Sequence, residues 1–303
     1  MTDLVTGWPV IDSPRTLSGK LAEHGYLAST DLVAAAFLAL RMHRPLFLEG
    51  DPGVGKTDFA AKIAQALGAG FIRLQCHAGI DASQALYDWN FPRQILALRA
   101  DGVDAAVDDR ERRLRGLYTE EFLQQRPILA ALSGDATVLL IDEVDRADDE
   151  FEALLLQVLE DYAVDIPEFR RVEARVPPLV VLTSNRTREV HDALKRRCLY
   201  HWIGHPSAGL EEEILRRRVP GIPEELARLI AGRMQRVREA TKEVTKPPGI
   251  AESIDFATAL TIAGATELTP DTVGAALSTV VKYHEDAVPV RTLLLVPHQR
   301  EAA

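Results

Sequence analysis

Eight residues, Gly50-Asp51-Pro52-Gly53-Val54-Gly55-Lys56-Thr57, fit the pattern G-x-x-x-x-G-K-[ST] and restrict this chain more than anything else in it. Glycines at this spacing let backbone N–H groups curl around an anion, a lysine follows them, and a hydroxyl comes last. The pattern has meaning where a strand enters the loop and a helix leaves it, because the helix N-terminus adds its positive end to the same site. Pro45 to Leu48 is a short apolar run entering the loop, and an amphipathic segment leaves it. In this reading all eight residues contact ATP. Lys56 faces the β and γ phosphates, and the Thr57 hydroxyl coordinates Mg²⁺.

Four more apolar runs read as buried strands: Phe71 to Gln75, Thr137 to Ile141, Leu179 to Thr183 and Leu199 to Ile203. Helical patterns separate most of them, which predicts an α/β fold, a parallel sheet with helices on both faces. The stretch Gly79 to Gly134 is too long for a simple crossover. It reads as a crossover helix with an inserted element, a charged solvated middle at Asp101 to Arg115, and a returning helix at Tyr118 to Leu132. Pro206 and its small neighbours mark a boundary. The reading is a nucleotide-binding core over residues 1–205 and an all-α lid over residues 206–303, with helices at Glu211 to Val219, Glu224 to Val244, Ser253 to Ala263 and Thr269 to Glu285.

The run Thr137-Val138-Leu139-Leu140-Ile141 ends in Asp142-Glu143. Carboxylates at the carboxyl end of a buried strand face the crevice where open α/β sheets bind ligands. Asp142 is therefore placed to hold the Mg²⁺ shell, and Glu143 to orient and deprotonate an attacking water. Asn185 follows the strand at Leu179 to Thr183, and its amide can donate to a γ-phosphate while accepting from the lytic water. Arg196 and Arg197 follow a short helical segment, Glu189 to Lys195. A guanidinium delivered from there to a neighbouring subunit's γ-phosphate would be an arginine finger, with Arg197 preferred over Arg196.

With these residues in place the chain resembles the MoxR-type AAA+ ATPases. The phosphate loop, Leu140-Ile141-Asp142-Glu143 and Thr183-Ser184-Asn185 match AAA+ proteins in general. Three longer runs resemble the branch associated with carbon monoxide dehydrogenase maturation. They are Asp142 to Ala147 leading into Glu150 to Leu156, Tyr87-Asp88-Trp89-Asn90, and Ala193 to Trp202. The resemblance covers most of residues 25 to 265 and implies a hexameric ring, a small helical lid and a partner carrying a von Willebrand A domain. It also implies a metalloenzyme client, a molybdenum-containing dehydrogenase during assembly of its metal centre. Tyr162 to Pro178 resembles the hairpin inserted before the sensor strand in this clade, with Glu168 to Arg171 as its turn. One departure stands out: the sensor arginine usual near the start of the third lid helix is missing from Pro247 to Leu260, and Lys246 is the nearest cation.

The formal charge of −10 speaks against a broad electrostatic footprint for nucleic acid. A nucleic-acid-dependent translocase on the same core is the rival reading, and it would need a basic pore or an added DNA-binding module. A nucleotide switch that hardly turns over is a further rival, against which Glu143 argues. Cys76 and Cys198 are far apart and read as reduced, buried thiols rather than zinc ligands. No apolar run reaches the roughly 18 residues of a spanning helix, so no membrane contact is expected and the chain reads as cytoplasmic.

Overall fold

The computed structural model describes residues 7–100 and 116–296; the charged segment 101–115 lies outside the described residues. Nine strands occur among them: β1 (Leu46–Gly50), β2 (Gly70–Gln75), β3 (Tyr87–Trp89), β4 (Leu123–Gln125), β5 (Thr137–Asp142), β6 (Ala163–Ile166), β7 (Arg170–Glu173), β8 (Leu179–Ser184) and β9 (Leu199–Ile203). Five of these form one sheet in the order β2-β5-β8-β1-β9. The pairings β2 with β5, β5 with β8 and β8 with β1 are all parallel. Parallel neighbours need covered faces, and β1, β5 and β8 are buried along their whole length. The expected α/β architecture is what the chain adopts.

By contacts the chain forms two compact units. The first takes in the described residues up to Lys20, Thr30–Glu49 and Ala60–His201. Its core joins Phe47, Leu139, Ile141 and Leu182 of the sheet to Phe151 and Leu155 of the helix Asp149–Asp161. That helix starts where Asp148 accepts a hydrogen bond from the Phe151 N–H, and three acidic residues in its first turn suit the positive end of the helix dipole. It stops at Tyr162, which turns left-handed at φ 50.

Two expectations for this unit are corrected. Tyr118 to Leu132 is not one helix: β4 pairs antiparallel with β3, and the helix there spans only Pro127–Ser133. Pro127 lacks an N–H and its ring would clash with a preceding turn, so a helix admits it in its first turn, and here it is the first residue. The hairpin before β8 is present as β6 and β7, but Arg170 and Arg171 belong to β7 and the connection is Pro167-Glu168-Phe169.

The second unit takes in Leu21–Ser29, Gly50–Phe59 and the described residues from Trp202 onward. Its helices include Ala208–Arg218, Glu224–Glu239, Ile250–Ile262, Pro270–Val280 and Ala287–Leu295. Leu226, Ile230, Met234 and Val237, at helical spacing, pack with Phe256, Leu260 and Val273. The helix expected at Thr269 to Glu285 ends at Val280, and the last helix was not foreseen. Pro289 suggests a break there, yet it lies in that helix's first turn, where no N–H is needed. Among the described residues no helix is long and apolar enough to cross a membrane.

A buried charge pair sits at the centre of the second unit. Arg238 donates to both oxygens of Glu211 (2.5 and 2.8 Å), to Ser253 Oγ (3.0 Å) and to the Pro248 carbonyl (2.7 Å). Glu211 and Ser253 are wholly buried. Removing one partner strands the other charge without water. Arg238→Ala should therefore cost about 3–5 kcal/mol in urea denaturation. A loss under about 1 kcal/mol would mean that water replaces the guanidinium.

Candidate functional site

The loop that leaves β1 curls as its residue types demand. Gly53 and Gly55 stand at φ 82 and 92, a region closed to most side chains, which turns their neighbouring N–H groups inward. Lys56 is the first residue of the twelve-residue helix Lys56–Leu67. It is buried, and its Nζ donates to the carbonyls of Gly50 (2.7 Å) and Asp51 (2.8 Å), which draws the ammonium into the curl. Thr57 follows, half-buried, while Asp51 and Pro52 are exposed and Val54 is buried. An inward-turned backbone, a helix N-terminus and a sequestered ammonium together fit a polyphosphate.

The loop is held within its own unit. The Tyr26 hydroxyl donates to the Gly55 carbonyl at 3.4 Å, and the Tyr26 ring packs edge-on against Phe59. The N–H groups of Ile250 and Ala251, at the start of the helix Ile250–Ile262, donate to the Gly53 carbonyl at 3.1 and 3.4 Å. Gly249 lies so close that a Cβ there would stand 2.9 Å from the Gly53 carbonyl carbon. The start of this helix, where the resemblance implies a sensor arginine, thus meets the loop with backbone. Lys246, by contrast, gives its N–H to Asp286 at 3.1 Å.

In the first unit the ends of β2, β5 and β8 bring the acidic residues together. Asp142, 2% exposed, accepts from the Thr183 hydroxyl at 2.5 Å and pairs with Arg73 at 2.6 Å. Glu143 ends the strand in the left-handed conformation, φ 55, which is uncommon for a residue other than glycine, and its N–H donates to Thr183 Oγ1. Its carboxylate accepts from Asn185 Nδ2 (3.2 Å) and Gln75 Nε2 (3.0 Å) and pairs with Arg146 (2.9 Å). The structure therefore joins Asp142, Glu143 and Asn185, as their strand ends suggest. Cys76 lies beside them. Burial first, then the charge of Asp142, pushes its thiol up to about 12, so it stays a neutral thiol.

Four neighbours went unassigned in the sequence: Arg73, Gln75, Thr183 and Asp145. Gln75 faces Asp142 in the β2–β5 register, a signal readable once the strand pairing is known. Buried Asp145 accepts from the N–H of Asn185 (3.3 Å), the N–H of Thr187 (2.8 Å) and the Thr187 hydroxyl (2.6 Å). It sets the turn after β8, and so the reach of the Asn185 amide.

Arg196 and Arg197 lie apart from that cluster on the helix Asp192–Arg197. Arg197 Nη1 donates to the Leu156 carbonyl at 3.1 Å and pairs with Glu160 at 3.0 Å, whereas Arg196 is exposed. Cys198, next in the chain, is buried; its Sγ donates to the Leu194 carbonyl and burial pushes the thiol up to about 12.

Residues 45–198 match the family model described as AAA domain (dynein-related subfamily). Among solved structures, the chain is similar to the Thermotoga maritima RuvB Holliday junction branch migration motor. Identity is 19%, the match covers 88% of this chain and 69% of that one, and the TM-score is 0.45. It is also similar to a Cytophaga hutchinsonii protein described as a candidate ATPase, with 14% identity, 93% and 95% coverage and a TM-score of 0.47. No curated protein matches the chain.

The Asp145 contacts carry a prediction. Asp145→Ala leaves two backbone N–H groups and a hydroxyl without their acceptor; Thr187 is exposed and Asn185 half-buried, so water replaces part of what is lost and the cost is about 1–3 kcal/mol in all. Denaturant melts should place the variant about 1–3 kcal/mol below the parent protein. An unchanged midpoint would show that the turn after β8 holds without this carboxylate.

Proposed function

The chain belongs to the dynein-related subfamily of AAA domains, and we propose that it is a ring-forming Mg-ATP hydrolase that remodels a protein client. The observation that supports this most is the joined set of Asp142, Glu143 and Asn185, with Glu143 and Asn185 in contact at 3.2 Å at the ends of neighbouring strands. Membership of the family implies ATP binding. In this reading residues 1–205 are the nucleotide-binding core and residues 206–303 the lid.

ATP would be held by Gly50, Asp51, Pro52, Gly53, Val54, Gly55, Lys56 and Thr57, and Mg²⁺ by Thr57 and Asp142. The metal would supply charge neutralisation across the β and γ phosphates. Lys56 contributes a point charge already inside the loop, and Thr183 with Arg73 fixes the direction of Asp142. Glu143 orients a water and takes its proton, and Asn185, in contact with it, links that water to the γ-phosphate. The phosphate loop leaves β1, and the register sets Glu49 of β1 beside Ser184 of β8, as it sets Leu182 of β8 beside Ile141 of β5. In this reading loop and carboxylates serve one nucleotide.

Arg197 is proposed as the finger that acts on the next subunit, where it would exchange Glu160 for a phosphate. Exposed Arg196 is the alternative. The resemblance to MoxR-type proteins supports a hexamer, a von Willebrand A domain partner and a molybdenum-containing dehydrogenase client, with the work done in the cytoplasm. A nucleic-acid-dependent motor is the competing reading, disfavoured by the charge of −10.

Three measurements test this. Lys56→Ala should abolish ATP binding, whereas Glu143→Gln should keep binding and lose turnover by on the order of 10²-fold or more, with ATP trapped. Unchanged ATP affinity in Lys56→Ala would remove the phosphate-loop assignment. Arg196→Ala and Arg197→Ala, made separately, should differ: the finger's loss lowers turnover by roughly 10³ to 10⁵ with ATP affinity retained. DNA and RNA should bind no better than about 10⁻⁴ M at physiological salt, and strong stimulation of ATPase activity by either would put the motor reading first.

A further inference from the structure

Glu49 is the residue immediately before the phosphate loop, and it is only 6% exposed. No step above uses it. Its Oε1 lies 3.2 Å from Lys195 Nζ, and its Oε2 accepts from the Tyr200 hydroxyl at 2.9 Å. The Lys195 ammonium also stands 5.7 Å over the Phe47 ring, and the Tyr200 ring stacks on the same phenyl group at 6.2 Å. Desolvation offsets much of what such a pair gains, so a charged pair in this setting does more to fix geometry than to add stability.

The geometry that it fixes is the helix Asp192–Arg197. Glu152, wholly buried, holds the approach to that helix by accepting from the His191 N–H (2.8 Å) and from Arg188. Arg44 holds its end by donating to the carbonyls of Arg196 (2.6 Å) and Arg197 (3.1 Å). Glu49 holds it at Lys195, the residue just before the two arginines. Of these three anchors, Glu49 alone adjoins the phosphate loop in the chain.

We propose that Glu49 is a positioning residue that orients Arg196 and Arg197 for the neighbouring subunit's nucleotide, tying one subunit's phosphate loop to the arginines it offers the next. This rests on the reading of a trans-acting arginine above. Two distinct roles are separable here, because Glu49 could act on the loop of its own subunit or on the arginines it presents.

Glu49→Gln keeps the shape and removes the charge that holds Lys195. Turnover should fall at least about tenfold while ATP affinity stays within about threefold of the parent protein. Mixing then assigns the direction. Combined with Lys56→Ala subunits, whose arginines are intact, Glu49→Gln subunits should regain activity. Combined with Arg196→Ala/Arg197→Ala subunits, whose loops are intact, they should not. The reverse pattern, or parent-level turnover in Glu49→Gln alone, overturns the proposal. A control mixture of Lys56→Ala with the double arginine variant must itself regain activity. If it stays dead although mixed rings form, the trans-acting reading fails, and the role of Glu49 with it. Lys195→Met breaks the same link from its more exposed side and should reproduce both mixing results, which keeps the test decisive if Glu49→Gln folds poorly.

Discussion

Parallel pairing among β2, β5, β8 and β1 is the constraint on which everything else here depends. Backbone hydrogen bonds in a parallel sheet leave successive strands pointing the same way, so whatever ends one strand lies beside whatever ends the next. Gln75, Asp142 and Ser184 terminate three of those strands, and Glu49-Gly50 the fourth. The carboxylates of Asp142 and Glu143 use this arrangement in the same manner: each is gripped from β2 on one side, by Arg73 or Gln75, and from β8 or its following turn on the other, by Thr183 or Asn185. A shift of any one strand end would be felt by both.

Around that edge the chain spends buried charge on placement. Asp145, Glu152 and Glu49 are carboxylates that almost no water reaches, and each holds a loop or short helix that carries a candidate functional side chain. In the second unit Glu211 is another buried carboxylate, bound by both of the Arg238 terminal nitrogens. Apolar residues of similar size would serve stability as well or better, which is why these positions are better understood as fixing direction.

The parts legible in the sequence are those written in short-range patterns. The phosphate loop, the five apolar strands and the acidic strand end could all be found by spacing, because strand and loop chemistry is local. Arg73, Gln75 and Asp145 could not, since their meaning lies in partners 69, 68 and 40 residues away. The errors have local causes too. Periodicity alone extends a helix across Pro127, whose missing N–H suits it to a helix start, and the last helix, with Pro289 likewise in its first turn, has no expectation made for it. Glu49 was read past because a strand-end glutamate beside a glycine loop has no pattern of its own.

Gly249 and Gly53 meet with no side chain between them. At the start of the third lid helix, where the resemblance implies an arginine, this chain brings the first N–H groups of the helix directly onto the loop. The joint itself is main chain, with the Glu252 carboxylate holding the Gly249 N–H at 3.0 Å beside it, so what it demands first is that the two segments keep their distance. Any carbon added at position 249 acts as a wedge of fixed thickness. This part of the loop's surroundings is steric, and a comparison of sequences that scores only charged residues would pass over it.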